Sequence, residues 1–165
     1  MCYICIVETN LDKMERINDK TQLAPIIIGK LLNIGGVLQR QGDRMLLQFG
    51  LNQQQFSIFF EIAKVGKMKQ KDVVNRLLLE KAHISKVVKK LKKMELITAT
   101  SLEQDKRSYW LSITPKGEKV LNHCMEIFEN WNLAWVDEID EPQLNLILEN
   151  LTKLQSVFIN KHQNK

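Results

Sequence analysis

Between Thr21 and Phe49, apolar residues recur at the three-to-four spacing of one helical face: Ile27, Ile28, Leu31, Leu32, Ile34, Leu38, Met45 and Leu46. Pro25 falls in the first turn, where a missing N–H costs little. Gly29, Gly35, Gly36 and Gly42 interrupt the run. Each costs up to ~1 kcal/mol against Ala in a helix interior, yet small residues let another helix approach closely. A tightly packed or kinked helix is expected, stopped by Gly50. Asn52 then reads as the N-cap of a second helix, with Gln55 in capping-box position. That helix carries Phe56, Phe59, Phe60 and Ala63 and ends near Gly66.

A third, short helix is predicted from about Lys69 to Leu77, with Val73, Val74 and Leu77 facing inward. A fourth runs from Lys81 to Glu95 on the stripe Ile84, Val87, Val88 and Leu91. The pattern then changes. Leu96–Leu102 and Tyr109–Ile113 are rich in β-branched and aromatic residues, and in the second segment Tyr109, Leu111 and Ile113 alternate with Trp110 and Ser112. The six polar residues between them make a hairpin loop, so a two-stranded wing is expected. Thr114-Pro115 restarts a helix as N-cap and first residue. Its stripe is Val120, Leu121, Cys124, Ile127, Phe128, Trp131 and Trp135. Asp140-Glu141-Pro142 opens a last helix carrying Leu144, Ile147, Leu148, Leu151, Leu154 and Phe158. The fold class is therefore mainly α with a small two-stranded β-wing, a winged helix-turn-helix domain joined to a helical dimerisation region. The expected division is an N-terminal extension (1–20), a helical dimerisation region (21–50 and 115–165) and the winged helix-turn-helix domain (51–114). The first and last two helices carry more apolar surface than a small winged domain can cover, and a second copy of the chain is expected to bury it.

Charge sharpens this picture. From Lys64 to Arg107 there are 13 basic and 5 acidic residues, a net of +8, whereas the whole chain is +5. The remainder therefore sums to −3, and positive charge is concentrated on the predicted helix-turn-helix and wing, the electrostatic footprint of phosphate binding. Apolar residues make up 44% and charged residues 26% of the 165, ordinary globular values that argue against disorder. No window approaches the ~20 apolar residues that span a bilayer, and Met1–Val7 lacks a signal-peptide pattern. A cytoplasmic protein with no membrane partner is expected. Three cysteines (Cys2, Cys5 and Cys124) fit a reducing compartment. Cys2-Tyr3-Ile4-Cys5 lacks the second ligand pair or following helix that metal or redox chemistry would need. Cys124 reads as a small buried hydrophobe, and Phe128, Trp131 and Trp135 as core in preference to an effector pocket. His83, His123 and His162 form no ligand set, and no nucleophile elbow or phosphate-cradling glycine loop occurs. No catalytic residues, cofactor or metal are expected.

With the elements in this order, the chain from about Thr21 onward resembles the MarR family of bacterial transcription regulators. The resemblance is carried by Gly50-Leu51-Asn52-Gln53-Gln54-Gln55-Phe56, by Ile84-Ser85-Lys86, by Leu91-Lys92-Lys93-Met94-Glu95-Leu96-Ile97, by Asp105-Lys106-Arg107, and by Leu111-Ser112-Ile113-Thr114-Pro115-Lys116-Gly117. It implies a homodimer joined by the first, fifth and sixth helices, reading a pseudo-palindromic operator in double-stranded DNA. It also implies a repressor released by a small-molecule effector or an oxidant. Four departures stand out. Glu95 and Leu78 occupy positions where the family favours glycine, and His83 and Lys86 replace the commoner Thr and Arg.

Roles follow from position. His83, Ser85 and Lys86 lie in the N-terminal part of the recognition helix and are expected to approach base edges. Lys89, Lys90 and Lys93 are expected to meet phosphates. Gln70 and Lys71 open the preceding helix, whose N-terminus favours a phosphate. In the motif Asp105-Lys106-Arg107 the resemblance implies that Arg107 contacts DNA while Asp105 holds its guanidinium, whose planar fork suits a phosphate or a narrow minor groove. Two alternatives belong to other classes: a thiol-based redox sensor using Cys5 or Cys124, and a protein-interaction adaptor using the winged fold without DNA.

Overall fold

A computed structural model of the chain describes residues 19–77, 79–102 and 105–163. The first helix, α1 (Lys20–Leu46), is capped by Asp19, whose carboxylate accepts from the Thr21 N–H at 2.9 Å and the Thr21 hydroxyl at 2.7 Å. Those bonds hold the Asp19 carboxyl below the ordinary carboxylate range. A single 3-10 turn (Leu47–Phe49) follows, and Gly50 ends it in the left-handed conformation at φ 67°. The α2 helix (Gln53–Val65) starts with the expected capping box. Asn52 Oδ1 accepts from the Gln55 N–H at 2.8 Å, and Gln55 Oε1 accepts from the Asn52 N–H at 3.2 Å. Asp43 near the end of α1 adds a third acceptor, taking the Gln53 N–H at 2.7 Å.

Next come β1 (Lys67–Lys69), α3 (Gln70–Leu77), α4 (Lys81–Lys93), β2 (Ile97–Leu102), β3 (Asp105–Ile113), α5 (Pro115–Val136) and α6 (Glu141–Gln163). The wing departs from expectation in two ways. Its sheet has three strands, all antiparallel, in the order β1-β3-β2. Three residues are too few to display an alternating pattern, so β1 emerges only from pairing. Met68, 2% exposed, faces Leu111 across the register, while Lys67 and Lys69 bring their ammonium groups over the Trp110 ring, 5.5 and 5.2 Å from its centroid. The hairpin is also tighter than a six-residue loop. Leu102 pairs with Asp105, so Asp105, Lys106 and Arg107 belong to a strand backbone rather than to the connecting loop.

The chain divides within α5 into two compact units, one ending at Leu121 and one beginning at Asn122. In the first, Leu46, Ile58, Phe59, Ile62, Val73, Ile84, Leu91, Leu96 and Leu111 form the buried core. It gathers the inward stripes of α2, α3 and α4 on one face of the sheet. In the second, Cys124 is the buried residue among those described. The core expectation for the aromatics of α5 is corrected here. Trp131 and Phe128 are half-buried and Trp135 is exposed, its indole N–H donating to Asn132 Oδ1 at 3.1 Å. Helical spacing marks an apolar face but does not say whether the chain's own elements cover it.

The expectation that no segment is apolar enough to span a bilayer is corrected at α1. Lys20–Phe49 is long and apolar enough to cross a membrane by length and composition alone. Its apolar residues Ile27, Ile28, Leu32, Ile34 and Leu38 are exposed, as are Leu146, Ile147, Leu148, Leu151 and Phe158 on α6.

Candidate nucleic-acid interface

The helix-turn-helix consists of α3 and α4. The α4 sequence from Lys81 to Lys93 contains six lysines and no acid. Its apolar stripe is buried in full, Ile84 and Leu91 completely, Val87 and Val88 nearly so. Burial of that stripe against α2 and β2 fixes the rotation of the helix and turns the opposite arc outward. Lys86, Lys89 and Lys93 are exposed there, with no hydrogen-bond or ion-pair partner among the described residues. Lys71, in the first turn of α3, is exposed as well.

Ser85 and Gln70 are brought together. Gln70 Nε2 donates to Ser85 Oγ at 2.7 Å, and Ser85 Oγ donates to the Lys81 carbonyl at 2.8 Å. This pair stitches the start of α3 to the recognition helix. It rims an open depression of about 530 Å3 between α4 and the sheet, where Lys89, Lys92 and Lys93 meet Ala99, Tyr109 and Leu111. Lys92 and Tyr109 are contributors that the sequence reading did not single out. Lys92 lies one turn beyond Lys89, a signal that was available. Tyr109 shares a face with Leu111 but sits farther out along the strand and is 46% exposed.

Other candidates are placed differently. Lys90 is exposed on its helix, yet its ammonium group donates to the Gly50 carbonyl and to Gln55 Oε1, both at 2.7 Å. His83 is half-buried, and its Nε2 is buried without a hydrogen-bond partner, which takes that nitrogen away from a groove-facing surface. At the N-terminus of α3, Asp72 Oδ2 accepts from the Lys69 N–H at 3.3 Å, so a carboxylate already stands in the first turn. The side chains of Asp105, Lys106 and Arg107, together with Cys2, Cys5 and Leu78, lie outside the described residues.

The end of α4 explains one departure from the family pattern. Glu95 takes the left-handed conformation at φ 60°, which glycine adopts at no cost. The Glu95 N–H bonds to the Lys92 carbonyl and the Leu96 N–H to the Leu91 carbonyl, closing the helix. Lys116 Nζ lies 2.9 Å from Glu95 Oε2 and, chiefly through that hydrogen bond, holds the Glu95 carboxyl below its usual range. Among the described residues no group of three or more metal-ligating side chains converges.

Residues 51–117 match the winged helix DNA-binding domain family. A curated relative, the HTH-type transcriptional regulator BilQ of Clostridioides difficile, is 23% identical over 103 residues, covering 61% of this chain and 70% of its own length. Among solved structures, a MarR family transcriptional regulator from Listeria monocytogenes complexed with 26mer DNA aligns with a TM-score of 0.74 at 19% identity, over 81% of this chain and 89% of its own. The Staphylococcus aureus MarR in complex with salicylate and kanamycin aligns with a TM-score of 0.77 at 20% identity, over 84% and 94% of the two chains. Residues 51–117 thus form a winged helix DNA-binding domain, in a chain whose fold and curated relatives are those of transcriptional regulators of the MarR type.

Proposed function

We propose that the protein acts as a cytoplasmic homodimer that binds a pseudo-palindromic operator in double-stranded DNA and represses transcription until a small molecule or an oxidant releases it. The observation that carries the reading is the acid-free, outward arc of α4, where Lys86, Lys89 and Lys93 have no protein partner among the described residues. A lysine face without counter-charges attracts a polyanion, and a single helix displaying it matches the width of the major groove. Lys86 stands toward the bases, while Lys89, Lys92 and Lys93 line the depression that faces the backbone. On this reading Gln70 and Ser85 hold the two motif helices in register, and Arg107 extends the contact from the wing.

Residues 51–114 form the reader, and residues 21–50 with 115–165 form the dimerisation region. Dimerisation is supported by the uncovered apolar faces of two helices: Leu32 on α1 is 71% exposed and Leu148 on α6 is 65% exposed, each among other exposed apolar residues of its own helix. An interface that covers α1 also accounts for its apolar character without a membrane. Release by a small molecule draws support from the salicylate-bound Staphylococcus aureus protein of the same fold.

The test is selection of genomic DNA fragments by the purified protein, followed by titration of a recovered duplex at several salt concentrations. The expected slope of log K against log salt is steeply negative; Lys89→Ala or Lys93→Ala each flattens it by about one, and Lys86→Ala relaxes the base preference. Recovery of no preferred sequence, or a flat slope, would overturn the reading.

A further inference from the structure

Lys90 shares the recognition helix with the outward lysines but not their situation. Its Nζ is 2.7 Å from the Gly50 carbonyl oxygen and 2.7 Å from Gln55 Oε1, two neutral acceptors 40 and 35 residues away in sequence. Gly50 lies in the turn that carries the chain from α1 into α2, and Gln55 in the first turn of α2. Gly50 closes the 3-10 turn in a left-handed conformation, with its N–H on the Leu47 carbonyl at 3.0 Å. Gln55 is already half of the capping box. Leu51 is 4% exposed, and Asp43 of α1 accepts the Gln53 N–H. A Cβ added to Gly50 would lie 3.6 Å from Met94 Cε, so the end of α4 packs over the same turn.

A lysine has three N–H donors, and two of these are committed here. The third is left over, so a phosphate would have to meet the ammonium group where these two bonds hold it, beside the turn. The turn itself is also held from the α1 side, where Asp43 accepts the Gln53 N–H.

We propose that Lys90 is a positioning residue: it braces the recognition helix against the turn after α1 and sets how that helix is presented to DNA, without itself meeting a phosphate. The inference rests on the DNA-binding reading for its consequence, though the brace does not depend on it. A phosphate contact strengthens binding to every sequence alike and adds to the salt slope. A brace acts on the fit of base-reading side chains, so its loss falls on specific binding.

The experiment compares Lys90→Met, Gln55→Met, the double variant and Lys89→Met on two fluorescent duplexes of equal length, one recovered by selection with the wild-type protein and one of random sequence. Gln55→Met leaves every charge in place. Expected is a loss of about three- to tenfold on the selected duplex for either single variant, the net size of one ordinary hydrogen bond. The double variant should be no worse than the single ones, and Lys90→Arg should retain wild-type affinity because its fork can reach both acceptors. The salt slope on the random duplex should stay at the wild-type value for Lys90→Met and flatten by about one for Lys89→Met. A flattened slope for Lys90→Met, or losses that add in the double variant, would make Lys90 a phosphate contact and overturn the proposal.

Amide hydrogen exchange without DNA gives an independent measurement. Lys90→Met should speed exchange at Leu51–Gln55 and across α4, while Lys89→Met should not. Equal exchange in the two variants would overturn the brace. Failure of the wild-type protein to bind any duplex would instead overturn the DNA-binding reading and leave the exchange comparison to decide the brace.

Discussion

A Cβ placed on Gly117 would lie 2.1 Å from the backbone oxygen of Leu96 and 2.8 Å from Ile113 Cγ1. The first turn of α5 therefore rests directly on the chain leaving the recognition helix and on the end of β3. Thr114 completes the joint: its hydroxyl donates to the Glu95 carbonyl at 2.7 Å and accepts from the Gly117 N–H at 2.9 Å. One hydroxyl thus caps α5 and ties it to the end of α4. Backbone cannot retreat as a side-chain tip can, so Gly117→Ala should destabilise the protein by about 1–3 kcal/mol, the range for forced overpacking. The check is the urea midpoint, and an unchanged midpoint would mean that α5 can shift away from Leu96.

Glu95 holds a backbone conformation that favours glycine while its carboxylate pairs with Lys116 on the surface. The pair is solvated and weak, whereas relief of the left-handed strain is not screened. Glu95→Gly should accordingly raise Tm by about 2–4 °C, the shift expected of a modest gain in a chain of this size. The pH dependence has a definite sign. A carboxyl whose folded pKa is lowered contributes stability above its ordinary value and loses it as pH falls through the folded value. The advantage of glycine should hence grow when melting is repeated below pH 4; a gain that shrinks in acid would contradict the pairing.

Burial pushes the Cys124 thiol up from 9.0 to about 11. At pH 8 this leaves roughly a hundredth of the ordinary thiolate fraction, each pKa unit being tenfold. In the native protein Cys124 should react with iodoacetamide about 100-fold more slowly than an exposed thiol, and at the normal rate once unfolded in urea. Rapid native labelling, read by mass spectrometry of the Cys124 peptide, would restore this residue as an oxidant sensor.

The apolar face of α1 should carry the dimer. Leu32→Asp introduces a charge at a position 71% exposed in the single chain, so it costs the protomer little, yet an unpaired charge buried between copies is strongly unfavourable. Sedimentation should show the wild type as a dimer and the variant as a folded monomer with at least tenfold weaker DNA binding. A variant that remains dimeric would place the interface elsewhere.

What the sequence determined alone are the features whose causes are local. The Asn52–Gln55 box spans four residues, the α4 stripe recurs within one helix, and Thr114-Pro115 is a start signal in itself; all three stand where periodicity and capping chemistry put them. The alternation over Tyr109–Ile113 located the latter part of β3, whereas Asp105-Lys106-Arg107, expected in the loop, opens that strand, and whether Asp105 holds Arg107 concerns side chains outside the described residues. Only the tertiary structure decided which side chains already have partners. β1 exists because Met68 meets Leu111, 43 positions along the chain, and no three-residue pattern could announce that pairing. Lys86 and Lys90 are one helical turn apart and chemically identical, yet Lys86 has no partner among the described residues and Lys90 is held by acceptors 35 and 40 residues away. Hydrophobic periodicity reports the side of an element that avoids water. Hydrogen-bond partnership depends on which distant backbone arrives beside it, and that is settled only when the whole chain has packed.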